Sequence, residues 1–137
     1  MRRIDQIVVH CSATKEGQDF TAKDIHQWHK RLGWDGIGYH YVIRLDGTLE
    51  KGRPEEQLGA HAKGYNQHSI GLVYIGGLDQ EGHPKDTRSC EQKATLLQLL
   101  KDLKIRYPSA QILGHNNLPG VKKSCPCFDA KQEYANL

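Results

Sequence analysis

No stretch of this 137-residue chain is apolar for long enough to cross a membrane. The longest apolar run, Ile70 to Leu78, is broken by Gly71, Gly76 and Gly77 and falls far short of the ~20 residues that a span needs. The first ten residues, Met1 to His10, carry positive charge but no apolar stretch of ~7–15 residues, so an export signal is not expected. Synthesis and initial residence in a reducing cytosol are expected instead. An excess of one charge is lacking too. Nineteen Lys and Arg against sixteen Asp and Glu leave +3, which does not mark a dedicated nucleic-acid binder. Internal repeats and low-complexity tracts are missing, as are the HExxH and CxxC spacings that announce a metal site. Aromatic residues reach only 7%, yet 37% hydrophobic and 26% charged residues are ordinary for a folded chain.

What is present fits one domain over residues 1–137, expected as a monomer. Eight His and four Cys are the unusual counts. Cysteines at 11, 90, 125 and 127 do not form a disulfide framework, and in a reducing compartment they read as buried hydrophobes, metal ligands or reactive thiols.

Ile7-Val8-Val9 is a β-branched run that predicts a buried strand ending on His10. A polar loop follows from Ser12 to Asp19. Thr21 and Asp24 make a capping box, and Ile25, Trp28, His29 and Leu32 share one helical face before Gly33 stops it. His26 and His29 need only packing and surface roles there. Tyr39 to Arg44 predicts a strand, with Asp46-Gly47 turning it into Thr48 to Lys51 as a hairpin. Gly52 to Gln67 reads as loop and Ser69 to Ile75 as a central strand. Ser89 and Gln92 form a second capping box for a leucine-rich helix ending near Tyr107-Pro108. Gln111 to Leu113 is a short strand ending at Gly114-His115, and Asn116 to Phe128 is a loop. The order β-α-β-β-β-α-β predicts an α/β domain, a mixed central sheet flanked by helices.

Two strands from opposite ends of the chain therefore finish on histidines, His10 and His115, where α/β sheets place ligands. Cys125 follows in a loop that can fold back. Two imidazoles and a thiolate suit Zn²⁺ and leave a fourth position open, the mark of a catalytic site. On spacing alone the plainer reading stands beside it: His10 a satisfied core histidine, Cys125 a small buried hydrophobe. Lys123 is a cation able to stabilise an oxyanion, or a solvated loop lysine. Tyr39 is a hydroxyl donor, or a half-buried strand tyrosine.

The segments Val9-His10-Cys11-Ser12-Ala13-Thr14, Gln27-Trp28-His29-Lys30, Gly38-Tyr39-His40, Asp46-Gly47-Thr48, His61-Ala62-Lys63-Gly64-Tyr65-Asn66, Ser69-Ile70-Gly71, Gly76-Gly77 and Cys125-Pro126-Cys127-Phe128-Asp129 come in the order of a known family. Together they resemble the zinc-dependent N-acetylmuramoyl-L-alanine amidases of the amidase-2 type, which share their fold with peptidoglycan recognition proteins, and in particular the phage T7 lysozyme type. The resemblance implies one Zn²⁺ on His10, His115 and Cys125. It also implies Tyr39 and Lys123 as catalytic groups and His61 and Asn66 as substrate contacts. The implied reaction is hydrolysis of the amide between N-acetylmuramic acid and L-alanine in peptidoglycan. Glycosidase chemistry is not expected, because the matched segments offer no pair of carboxylates to flank a sugar bond. The segment from His115 to Cys125 is two residues longer than in the phage type, which leaves Lys122 and Lys123 as alternatives for the cation. A phage endolysin and a cytosolic enzyme of muropeptide recycling both fit the absence of an export signal, and the T7-type segments favour the endolysin. A non-catalytic peptidoglycan-binding module is the rival class, against which His10, His115 and Cys125 together argue. The T7-type relative also inhibits an RNA polymerase, which the resemblance implies as a further partner.

Overall fold

A computed structural model of the chain describes residues 2–137. Five strands form the main sheet: β1 (Gln6–Cys11), β3 (Tyr41–Ile43), β4 (Leu49–Lys51), β5 (Ser69–Tyr74) and β7 (Gln111–Gly114), in the spatial order β4-β3-β5-β1-β7. All neighbours are parallel except the β3–β4 hairpin. Two parallel two-residue strands, β2 (Thr14–Lys15) and β6 (Gly77–Leu78), pair beside it. The expected loop from Ser12 to Asp19 thus contains a short strand. Two residues are too few to carry a period, so only the folded chain reveals that pairing.

Local chemistry sets the helix starts. Thr21 accepts from the Asp24 amide at 3.1 Å while the Asp24 carboxylate accepts from the Thr21 amide at 2.8 Å, opening α1 (Ala22–Arg31). Ser89 and Gln92 repeat the arrangement at α2 (Cys90–Arg106). A four-residue helix, α3 (Ala130–Glu133), begins at Asp129, whose carboxylate accepts from the Gln132 amide. At the hairpin, Gly47 takes φ +89°, a left-handed conformation that costs glycine little, and its amide donates to the Arg44 carbonyl.

Alternation along the strands separates two faces. Ile7, Val9 and Cys11 of β1, with Ile70, Leu72 and Tyr74 of β5, pack against Leu96, Leu99, Leu100 and Leu103 of α2. Each such buried side chain contributes roughly 1.5–3 kcal/mol through removal from water. The opposite face carries Val42 and Val73 against Ile25 of α1, and Val8 and Leu113 against Ala62 and Leu118. His10 alternates onto this second face, away from α2. The expected strand over Tyr39 to Arg44 is shorter in the fold. Tyr39 and His40 lie just before β3, and their carbonyls accept from Arg53 and Gly52 in the following loop.

Candidate metal centre

Because β1 and β7 are adjacent and parallel, their C-terminal ends meet at one edge of the sheet. His10 lies near the end of β1 and His115 immediately follows β7, with ring centroids 4.6 Å apart. The tail then returns Cys125 to the same place. The Cys11 amide donates to Cys125 Sγ at 3.1 Å and the Asn116 amide donates to the Cys125 carbonyl at 2.8 Å. Tyr74, buried under the sheet, donates its hydroxyl to the Pro126 carbonyl at 2.7 Å.

His10, His115 and Cys125 each offer one ligand atom, and these atoms lie within 4.8 Å of one another. His10 Nδ1 stands 3.8 Å from Cys125 Sγ. A tetrahedral zinc ion, with Zn–N near 2.0 Å and Zn–S near 2.3 Å, separates such a pair by about 3.6 Å. The donor set therefore fits Zn²⁺ in both chemistry and spacing. Cys127 stays outside the group: its Sγ donates to the Gly77 carbonyl at 3.2 Å and lies 4.0 Å from Cys11 Sγ. The only non-glycine residues with positive φ among those described, Ala13 and Cys127, flank this centre in sequence. Strained backbone of this kind tends to concentrate at functional sites.

Electrostatics prepare the same ligands. His10 is only 2% exposed, and its pKa falls well below the ordinary value through burial and the nearby His61, His115 and Lys123. His115 is lowered by burial and by Lys123. Both rings are thus held neutral, as metal ligation requires. The Cys125 thiol is pulled down by hydrogen bonding from the Cys11 side chain, against the effect of burial, with the Cys11 amide and Lys123 adding to the pull. The charge of Lys123 bears on all three ligands.

Tyr39 lies with its ring 5.2 Å from that of His10 and 5.6 Å from that of His29. Burial, with the neighbouring Cys125 and Cys11, pushes its hydroxyl pKa up, so it remains a proton donor at neutral pH. His26 and His29 hold the segment before it. Their Nδ1 atoms accept from the Ile37 and Gly38 amides at 3.1 and 2.8 Å. His61 lies beside the ligand His10, with Nδ1 2.9 Å from His10 Nε2 and Nε2 3.1 Å from Ser69 Oγ. Asn66 closes the same loop, its Oδ1 accepting from the His61 and Ala62 amides at 3.0 Å. Sequence reading missed the Cys11 amide and Ser69. Glycine at position 71 on a central strand was the available signal for a side chain packed above that strand.

A cavity of about 670 Å³ lies elsewhere, at the β3–β4 edge around Glu55. The Glu55 carboxylate is taken up there by Tyr41, Tyr107 and Arg106, so that cavity presents no free reactive group from it.

The sequence model of the family described as N-acetylmuramoyl-L-alanine amidase matches residues 1–128. An endolysin of Klebsiella phage KP32 is 44% identical over 127 residues, covering 93% of this chain and 83% of the relative. An endolysin of Escherichia phage T7 is also 44% identical, over 128 residues, with the same coverages. Among solved structures, N-acetylmuramoyl-L-alanine amidase LysC from Clostridium intestinale URNW superposes with a TM-score of 0.79 at 29% identity. That match covers 96% of this chain and 82% of the other.

Proposed function

The chain belongs to the N-acetylmuramoyl-L-alanine amidase family, and we propose that it hydrolyses the amide joining N-acetylmuramic acid to L-alanine in peptidoglycan at one Zn²⁺ held by His10, His115 and Cys125. The observation that carries the metal assignment is the N, N, S donor set within 4.8 Å at the ends of two adjacent parallel strands. When bound there, Zn²⁺ supplies Lewis-acid polarisation of the scissile carbonyl and lowers the pKa of water.

The remaining work falls to the chain itself. Lys123, whose charge acts on His10, His115 and Cys125, stabilises the negative charge that develops on the carbonyl oxygen. Tyr39, kept protonated by its surroundings, donates a hydrogen bond to the same oxygen. Removing one such donor from a water-poor site typically costs 10²–10³ in turnover. Lys123→Met and Tyr39→Phe are each expected to lower kcat on a defined muropeptide about a hundredfold while leaving zinc content at one per chain. Lys122→Met should leave kcat within about twofold, as a solvated lysine does. The phage endolysins among its relatives favour a wall-lytic role over recycling.

Digestion of purified sacculi tests the reaction directly. Mass spectrometry of the released stems should find free L-alanine amino termini. New reducing sugar ends without those termini would replace the amidase by a glycosidase.

A further inference from the structure

We infer that His61 is a positioning residue for the metal centre: it accepts the Nε2 proton of His10 and so fixes the tautomer and ring angle that present Nδ1 to Zn²⁺. The inference rests on the zinc reading above and assigns a part that the ligand set alone does not contain.

The geometry gives each nitrogen one task. His10 Nδ1 faces Cys125 Sγ, so Nδ1 is the atom turned to the metal position. Metal on Nδ1 leaves the ring proton on Nε2, and that atom lies 2.9 Å from His61 Nδ1. His61 Nδ1 must then accept, which puts its own proton on Nε2, 3.1 Å from Ser69 Oγ. The chain His10–His61–Ser69 is consistent at every link, and Ser69, fully buried at the start of β5, anchors its far end. Outer partners of this kind orient a ligating histidine and raise its basicity.

Two further features serve the placement of His61. Asn66 Oδ1 receives both the His61 and Ala62 amides, which pins the backbone that carries the ring. Gly71, in the middle of β5, leaves the space that the ring fills: a Cβ there would stand 2.8 Å from His61 Nδ1 and 2.5 Å from two ring carbons. Glycine weakens a central strand, so its presence at this position is accounted for by the imidazole above it. A side chain packed in this way, with both nitrogens hydrogen-bonded to other side chains, serves the metal rather than the substrate.

Competition for zinc with a chromophoric chelator tests this without relying on turnover. His61→Phe keeps an aromatic ring but cannot accept a proton, and it should weaken zinc binding 10- to 100-fold. His61→Asn, whose Oδ1 can take the place of Nδ1, should recover most of that loss. Ser69→Ala should weaken binding roughly two- to tenfold, the effect of one neutral hydrogen bond, and serves if the phenylalanine variant does not fold. In the zinc-loaded wild type, the His10 Nε2 proton should appear as a slowly exchanging imidazole resonance that His61→Asn keeps and Ser69→Ala perturbs. Wild-type zinc affinity in His61→Phe or, failing that, in Ser69→Ala, with a raised KM, would make His61 a substrate contact and overturn the inference alone. A wild type that takes up no zinc would overturn the metal reading, and this inference with it.

Discussion

Cys125→Ser is expected to lower amidase turnover at least about a thousandfold and to leave the purified protein with well under one zinc per chain. The reasoning begins with the ligand. A thiol is far easier to deprotonate than an alcohol, and Cys125 is helped further by the hydrogen bonds from Cys11 and the charge of Lys123. Serine keeps the shape and a weak acceptor for the Cys11 amide, but it does not supply an anionic ligand at neutral pH. Lewis-acid assistance is worth several kcal/mol of transition-state stabilisation, and each 1.36 kcal/mol is a factor of ten; roughly 4 kcal/mol lost gives the thousandfold. The fold should survive, because Cys125 is only partly buried and its neighbours Pro126 and Phe128 stay anchored from the sheet side. Elemental analysis and turnover on sacculi, measured on the same preparation, check the prediction. A variant that keeps one zinc and activity within tenfold of wild type would remove Cys125 from the ligand set. The same comparison addresses the binding-module reading, since a module that only holds peptidoglycan would retain its affinity for sacculi and have no turnover to lose.

How much of this centre could be read beforehand depended on how local each cause is. Both capping boxes were legible because all their atoms lie within four residues of one another. His10 and His115 were legible as a pair because strands that end on histidines need only be parallel neighbours for the rings to meet. The choice between Lys122 and Lys123 was not, since it turns on where a glycine- and proline-containing loop points its side chains. Nor could His61 be separated from the groove. Its segment reads as polar loop, and only the pairing of β5 with β1 brings Ser69 and His10 to its two nitrogens. The short strands β2 and β6 and the helix α3 share that limit, being too brief for any period to stand out.

Arg88→Met is expected to destabilise the zinc-saturated protein by roughly 3 kcal/mol, the lower end of what breaking a buried ion pair costs, and to lower its melting temperature by about 10 °C. Nothing in Lys85-Asp86-Thr87-Arg88 distinguishes this arginine from a solvated loop cation, yet its side chain is 1% exposed. Its guanidinium makes paired bonds of 2.9 Å to both Asp86 and Glu133, donates to the Tyr134 hydroxyl at 3.0 Å, and stacks 3.4 Å above the Phe128 ring. One side chain thus ties the segment before α2 to α3 and to the tail that carries Cys125. Methionine fills the volume but leaves two carboxylates and a hydroxyl without their donor. Asp86 and Glu133 are partly exposed and regain some hydration, which is why the lower end applies. The pH dependence follows from their pKa values. Burial raises that of Asp86, but the Arg88 bonds outweigh it and the net direction is down; Glu133 is lowered chiefly by its bonds to Arg88. Carboxyls held below their ordinary values contribute stability that is present above the unfolded pKa, near 4, and lost as pH falls through the folded values. The difference between wild type and variant in urea unfolding should therefore be full at pH 7 and shrink as the pH drops below about 4. Histidine protonation acts on both proteins alike and cancels in that difference. Because Phe128 lies three residues after Cys125, the variant should also release zinc faster to a chelator while its ligands are untouched. Unchanged zinc release alongside the full loss of stability would show that Arg88 supports α3 alone and leaves the ligand loop to the Tyr74 and Asn116 contacts.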